Sequence, residues 1–319
     1  MSEARTRRLQ PFGPKPDVTP ADGPDPYGNP DPDWLRINWR DHLADVDVGG
    51  TRIHYVETGP PEAEQDPLAL VFVHGLSGCW QNWLENIPQF ARRHRVLALD
   101  LPGFGSSPVP EWEISISAYG KLVLDFCDAV GVRDCAIVGN SMGGFVAAEA
   151  AISQPQRFEK LVLVSAAGVT SARLRREPTE AAARMLAAAT PLAFRAQTRA
   201  FRRRRARAMA FGGIFDSPGD LRPELVWEFF DGGVRAESFV EALASLAGYD
   251  VLDRLAEIHV PTLIVWGRQD HVVPPADALG YANRIAGARL EVFDRCGHVP
   301  MAERPVRFNR LLEEFLGSG

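Results

Sequence analysis

The chain is poor in cysteine, almost without lysine, and has no long apolar run. Four cysteines, Cys79, Cys127, Cys135 and Cys296, stand among 319 residues. No pair has C-x-x-C spacing, which argues against a zinc site or a disulfide framework. Reduced, mostly buried thiols in a cytoplasmic protein are the expectation. No apolar stretch reaches the ~18 residues of a membrane span. The polar, Arg-rich stretch Met1 to Gln10 has no apolar segment after it, so no secretory signal is expected. Lysine occurs only at positions 15, 121 and 160, and the formal net charge is −6. That balance speaks against nucleic-acid binding.

What is present suffices for a core, since 45% of the residues are apolar. Residues 11 to 32 hold eight prolines, so this stretch cannot form a helix or an inner strand. Residues 1–40 read as a Pro-rich N-terminal extension that dangles or lies across the surface. From Leu43 the pattern changes. Leu43 to Val48 and Arg52 to Glu57 alternate around Gly49-Gly50 as a hairpin. Six apolar runs follow: Leu68 to Val73, Val96 to Leu99, Cys135 to Val138, Leu161 to Val164, Thr262 to Trp266 and Leu290 to Phe293. Helical spacing fills the gaps at Trp83 to Arg92, Ile116 to Val130, Met142 to Ser153, Ala276 to Ile285 and Val306 to Leu316. Short apolar strands alternating with helices predict an α/β fold, a mostly parallel central sheet with helices on both faces. Residues 169–250 break the alternation and read as an inserted helical cap, leaving 41–168 and 251–319 as the core. In such sheets the carboxyl ends of the strands carry the chemistry.

Gly139-Asn140-Ser141-Met142-Gly143 lies at one such end, between a strand and a helix. A serine on so sharp a turn adopts a strained backbone, and its neighbours two residues away must be small. The turn lifts the Ser141 hydroxyl above the sheet and the next helix points its positive end at it. A serine hydroxyl needs a base. Of seven histidines, His298 stands on the loop after the last run, in Cys296-Gly297-His298, and is the expected base. Asp270 follows the preceding run and is its expected partner, with Asp294 as the competitor. The amides of Met142 and Leu76, the latter in His74-Gly75-Leu76-Ser77-Gly78, are the expected oxyanion donors. His74 reads as a hydrogen-bonding loop residue.

His74-Gly75-Leu76, Asp100-Leu101-Pro102-Gly103-Phe104-Gly105, the Ser141 turn, Gly267-Arg268-Gln269-Asp270 and Gly297-His298 occur in this order over residues 43 to 319. With them the chain resembles the α/β-hydrolase fold family. The resemblance implies hydrolysis with neither metal nor organic cofactor, and Ser141 sets the chain apart from members with an aspartate nucleophile. It implies a structural turn at Asp100 to Gly105. Gly-Asn-Ser-Met-Gly-Gly with Cys-Gly-His is similar to the meta-cleavage-product hydrolases, which break a C–C bond in a dienoic diketone acid. That group typically has a tryptophan after the histidine, and here the residue is Val299.

The expected activity is a serine esterase acting on small, largely apolar carboxylic esters through an acyl-enzyme. The alternative is a C–C bond hydrolase of the meta-cleavage type, and a third reading is a ligand-binding member without turnover. Asn140, Trp227, Phe229 and Phe230 are the expected substrate contacts, the aromatics forming an apolar wall. Eleven arginines lie between Ser171 and Ala210. The run Arg202, Arg203, Arg204, Arg205 reads as a solvated face, or as a weak contact with an anionic surface.

Overall fold

The computed structural model describes residues 25–60, 68–174, 178–179, 202–231, 237–249 and 251–317. Eight strands form one sheet: β1 (Leu43–Val48), β2 (Thr51–Thr58), β3 (Ala69–Val73), β4 (Val96–Leu99), β5 (Cys135–Asn140), β6 (Phe158–Val164), β7 (Thr262–Gly267) and β8 (Arg289–Phe293). Their order is β1-β2-β4-β3-β5-β6-β7-β8. The hairpin β1–β2 is antiparallel and β2 joins β4 antiparallel, while β4 through β8 run parallel. The expected mostly parallel α/β sheet is therefore observed.

The apolar runs have no polar alternation because both faces of the sheet are covered. Val71, Val73, Leu97, Leu99, Ile137, Leu161 and Leu163 enter one core, packed with Tyr119, Val123, Phe145 and Ala148. Leu70, Phe72, Val96, Ala98, Val138 and Val162 enter the other, with Trp83, Phe90, Phe308 and Leu312. Successive strand residues thus alternate between two apolar layers rather than between core and water.

The α-helices with both ends among the described residues are α1 (Ile87–Phe90), α2 (Ile116–Ala129), α3 (Met142–Ser153), α4 (Arg204–Phe211), α5 (Pro223–Asp231), α6 (Phe239–Leu246), α7 (Ala276–Ala282), α8 (Pro300–Glu303) and α9 (Pro305–Gly317). One expected element differs. Trp83 to Arg92 is not a continuous helix but a 3-10 turn at Trp80–Trp83 followed by α1. Pro88 cannot donate an intrahelical bond, and the Asn86 amide is drawn to Met301 O and Asn309 Oδ1 at 3.1 and 2.7 Å.

The described part of the N-terminal extension lies on the body of the protein. Trp34 is buried, and its Nε1 donates to Glu85 Oε1 at 3.1 Å. Trp39 packs against Trp80, with ring centroids 5.2 Å apart. Residues 1–24 lie outside the described residues. So does much of 169–250, where the described residues contain helices and no strand. All four cysteines are buried free thiols. Among the described residues no helix is long and apolar enough to cross a membrane.

Candidate active site

Ser141 sits between β5 and α3 with φ 56° and ψ −118°. A non-glycine residue in this region stores about 1–3 kcal/mol of strain. The surrounding main chain holds it there. Ser141 N–H donates to Val164 O at 2.9 Å, while its carbonyl accepts from Ala167 at 3.0 Å and Phe145 at 3.2 Å. The two flanking glycines are a steric necessity. A Cβ on Gly139 would overlap the Gly143 carbonyl, and one on Gly143 would overlap the carbonyls of Val73 and His74. Gly75 is also confined, since its Cβ would stand 2.9 Å from Ser141 Cβ. The loop after β3 therefore packs directly on the serine.

His298 lies on the loop between β8 and α8. Its Nδ1 faces Asp270 Oδ2 at 2.8 Å, and both side chains are buried. The other oxygen, Asp270 Oδ1, accepts from the N–H groups of Val272 and Val273, each at 2.9 Å. A carboxylate that accepts at all three contacts requires the proton on His298 Nδ1, which leaves Nε2 with a lone pair. The Ser141 hydroxyl makes no hydrogen bond among the described residues, so the link to His298 is not closed; such bonds tighten in substrate complexes. The competitor Asp294 is 69% exposed and pairs with Arg268 on the surface.

His74 is a different kind of histidine. Its Nε2 accepts from Leu101 N–H at 2.9 Å and its Nδ1 donates to Gly75 O at 2.7 Å. Complete burial pushes it down to about 4, so it stays neutral and ties the loop after β3 to the loop after β4. Asp100 holds the same corner, its two oxygens accepting from Trp80 N–H at 2.7 Å and Ser106 N–H at 2.8 Å.

The N–H of Met142 opens α3 directly after Ser141, and the N–H of Leu76 lies on the adjoining loop. Neither donates to a protein acceptor among the described residues. Asn140 is engaged with main chain on two sides. Its Nδ2 donates to Val164 O at 3.1 Å and His298 O at 3.3 Å, tying β6 to the histidine loop.

Phe229 and Phe230 join an aromatic cluster. Phe230 stacks on Phe211 at 4.2 Å, and Phe229 meets Phe215 edge-on at 5.4 Å. Trp227 is partly buried against the same core. Arg202, Arg203, Arg204 and Arg205 are exposed, Arg204 pairing with Asp220 at 2.5 Å. Arg207 is buried, and its guanidinium donates to the carbonyls of Pro218, Gly219 and Leu221. The described segments of 202–249 reach the carboxyl-end loops at three points. Asn82 Nδ2 donates to Phe229 O at 3.1 Å, Ser238 N–H to Gly103 O at 3.3 Å, and His298 N–H to Ile214 O at 2.7 Å. A separate polar concavity of about 700 Å³, lined by Asp45, Arg52, His54 and Glu237 among others, includes none of Ser141, Asp270 and His298.

Sequence reasoning missed Glu303. It is fully buried below the histidine loop, where Oε1 accepts from Gly297 N–H at 2.9 Å and Oε2 from Asp216 N–H at 2.8 Å. Burial pushes its carboxyl up to about 7, against the pull of these donors and the Tyr27 hydroxyl. A lone glutamate after the apolar Val299-Pro300-Met301-Ala302 was the available signal.

Comparison with known proteins adds four findings. The α/β hydrolase fold family matches residues 69–305. The chain is 31% identical over 288 residues to a 2-hydroxy-6-oxo-6-phenylhexa-2,4-dienoate hydrolase of Comamonas testosteroni, covering 86% of this chain and 94% of that protein. It is 32% identical over 283 residues to a 2-hydroxy-6-oxononadienedioate/2-hydroxy-6-oxononatrienedioate hydrolase of Paraburkholderia phymatum, covering 84% and 93%. Among solved structures, a bacterial membrane phospholipase A superposes with a TM-score of 0.68 at 29% identity, covering 86% of this chain and 85% of that one.

Proposed function

The chain belongs to the α/β-hydrolase fold family, and within it we propose a serine-dependent hydrolase that cleaves the C–C bond beside the ketone of a 2-hydroxy-6-oxo-dienoic acid. The observation that carries this choice is the likeness, at 31% and 32% identity over 86% and 84% of the chain, to hydrolases named for such acids. It replaces the ester as first reading, because the triad layout serves both substrates equally.

In this reading Ser141 Oγ attacks the ketone carbon of the ketonised substrate, and its proton passes to His298 Nε2. Asp270 keeps the imidazole in the Nδ1–H tautomer and stabilises the imidazolium. The N–H groups of Leu76 and Met142 receive the oxyanion, each worth roughly 3–4 kcal/mol of barrier. The C–C bond breaks with its electron pair leaving on the dienoic acid fragment, which takes the proton from His298. Water, deprotonated by the same base, then hydrolyses the acyl-enzyme. Residues 169–250 act as a cap, supported by the three contacts of residues 214, 229 and 238 with carboxyl-end loops.

A carboxylic ester is the second reading, and a specific observation favours it. Asn140 and Arg207 are both engaged by main-chain carbonyls, so neither offers a donor to a substrate carboxylate. Burying that carboxylate without a partner costs several kcal/mol. The deciding experiment compares turnover of 2-hydroxy-6-oxo-6-phenylhexa-2,4-dienoate and p-nitrophenyl butyrate, with Ser141→Ala as control. Faster dienoate cleavage, abolished in the variant, is expected. Ester turnover with negligible dienoate cleavage overturns the first reading in favour of the second.

A further inference from the structure

We propose that the N-terminal segment completes the active site from outside the family's matched region, Tyr27 and Glu303 forming a buried latch that positions the His298 loop. The inference rests on the reading of His298 as the base for Ser141.

The latch joins three separate stretches of chain. Glu303, at the end of α8, accepts Gly297 N–H on one oxygen and Asp216 N–H on the other. Tyr27 donates its hydroxyl to that second oxygen at 2.5 Å and accepts Ser217 N–H at 2.8 Å. Gly28 N–H donates to the Glu303 carbonyl at 2.8 Å, so main chain and side chain are both engaged. The neighbouring Arg304 repeats the pattern. Its guanidinium donates to Asp25 O at 3.0 Å and Arg295 O at 2.9 Å, and it stacks 5.0 Å above the Tyr27 ring.

The packing leaves no slack at the histidine. A Cβ on Gly297 would lie 2.6 Å from Ile214 O, 2.9 Å from Asp216 N and 3.0 Å from Glu303 Oε1. Ile214 O is also the acceptor of His298 N–H. The residue before the base and the base itself are thus pressed on the 214–217 turn, and Glu303 bonds both sides of that contact. Residues 25–28 lie ahead of the matched span of 69–305. The latch therefore joins residues ahead of the matched span to the loop that carries His298.

A glutamine at 303 has one acceptor oxygen for two main-chain N–H groups. Either orientation of the amide sets its NH₂ against Gly297 or Asp216. The loop then shifts, and small displacements of a reacting group cost up to about 100-fold in rate. Tyr27→Phe removes one hydroxyl and keeps the ring on Arg304.

The test is the time course of Ser141 labelling by a fluorophosphonate on the full chain, resolved into plateau rate and half-saturating concentration, with melting temperature alongside. We expect Glu303→Gln to lower the plateau rate about 10- to 100-fold and Tyr27→Phe about 3- to 10-fold, with half-saturation unchanged. Plateau rates equal to wild type in both variants, whatever the melting temperatures, overturn the proposal and leave Glu303 a purely structural residue. If Glu303→Gln does not fold, Tyr27→Phe decides alone. Wild-type protein that is not labelled at Ser141 would refute the underlying serine reading instead.

Discussion

Replacing Asp270 by asparagine removes one charge and almost no volume, yet the hydrogen bonds around it make the outcome severe. Oδ1 accepts from Val272 and Val273 N–H, each at 2.9 Å, and Oδ2 faces His298 Nδ1 at 2.8 Å. Two main-chain donors hold the asparagine oxygen at the Oδ1 position. Turning the amide over would break both bonds, at about 1 kcal/mol each, and leave both donors unsatisfied at a further cost of about 1–3 kcal/mol each. The NH₂ group must then face His298 Nδ1. Two donors cannot share that contact, so the ring moves to its Nε2–H tautomer and loses the lone pair that we propose takes the serine proton. The labelling rate of Ser141 by a fluorophosphonate should fall about 10³- to 10⁴-fold, equal to roughly 4–5.5 kcal/mol of barrier. Asp270→Ala presents no donor to Nδ1, keeps both tautomers accessible, and should lose less than Asp270→Asn. Asp294→Asn is the control. That carboxylate is 69% exposed beside Arg268, and the rate should stay within about twofold of wild type. A folded Asp270→Asn protein labelled within about tenfold of wild type would refute the tautomer argument and the role of Asp270.

Two further predictions concern the frame around Ser141. Gly143→Ala places a Cβ on the carbonyls of Val73 and His74; both are main chain, so α3 must leave β3, with a stability loss of more than about 3 kcal/mol. A melting temperature within about 2 °C of wild type would contradict this. Burial lowers His74 to about 4 from an ordinary 6.5, so the unfolded chain binds the proton more tightly. Its contribution to stability is whole above pH 6.5 and is lost as pH falls toward 4. Asp100, pushed up to about 6 by burial, works the other way, because the folded state keeps its proton on acidification. The measurement is therefore the urea stability of wild type minus His74→Gln. That difference should shrink by about 2 kcal/mol between pH 7 and pH 5, and a pH-independent difference would refute the assignment.

How far the site could be read in advance follows from the range of the forces involved. The Ser141 turn is a local steric object. Gly139 and Gly143 are both needed within five residues, and their clash partners in the structure are the reason the pattern carries meaning. The order of Asp270 and His298 was legible because each follows an apolar run, and parallel strands bring their carboxyl ends to one edge. The Trp83 to Arg92 helix was misjudged because Asn86 bonds residues 301 and 309, far away in sequence. The main-chain partners of Asn140 were hidden for a similar reason. An asparagine beside Ser141 reads as a ligand contact, and its bond to the His298 carbonyl, 3.3 Å away, comes only with the fold.

Hydrophobic period and turn sterics act over a few residues, so the sequence by itself determined the strands, the Ser141 turn and the edge of the sheet that holds Asp270 and His298. The partner of each polar side chain depends on closure of the whole chain. Only tertiary structure separated Asp270 from Asp294, by burying the first against Val272 and Val273 and leaving the second with Arg268. Only tertiary structure placed Tyr27 against Glu303, 276 residues apart. A buried carboxylate must collect donors from whatever segments fold around it, and no local pattern at Tyr27 or Glu303 records which segments those are.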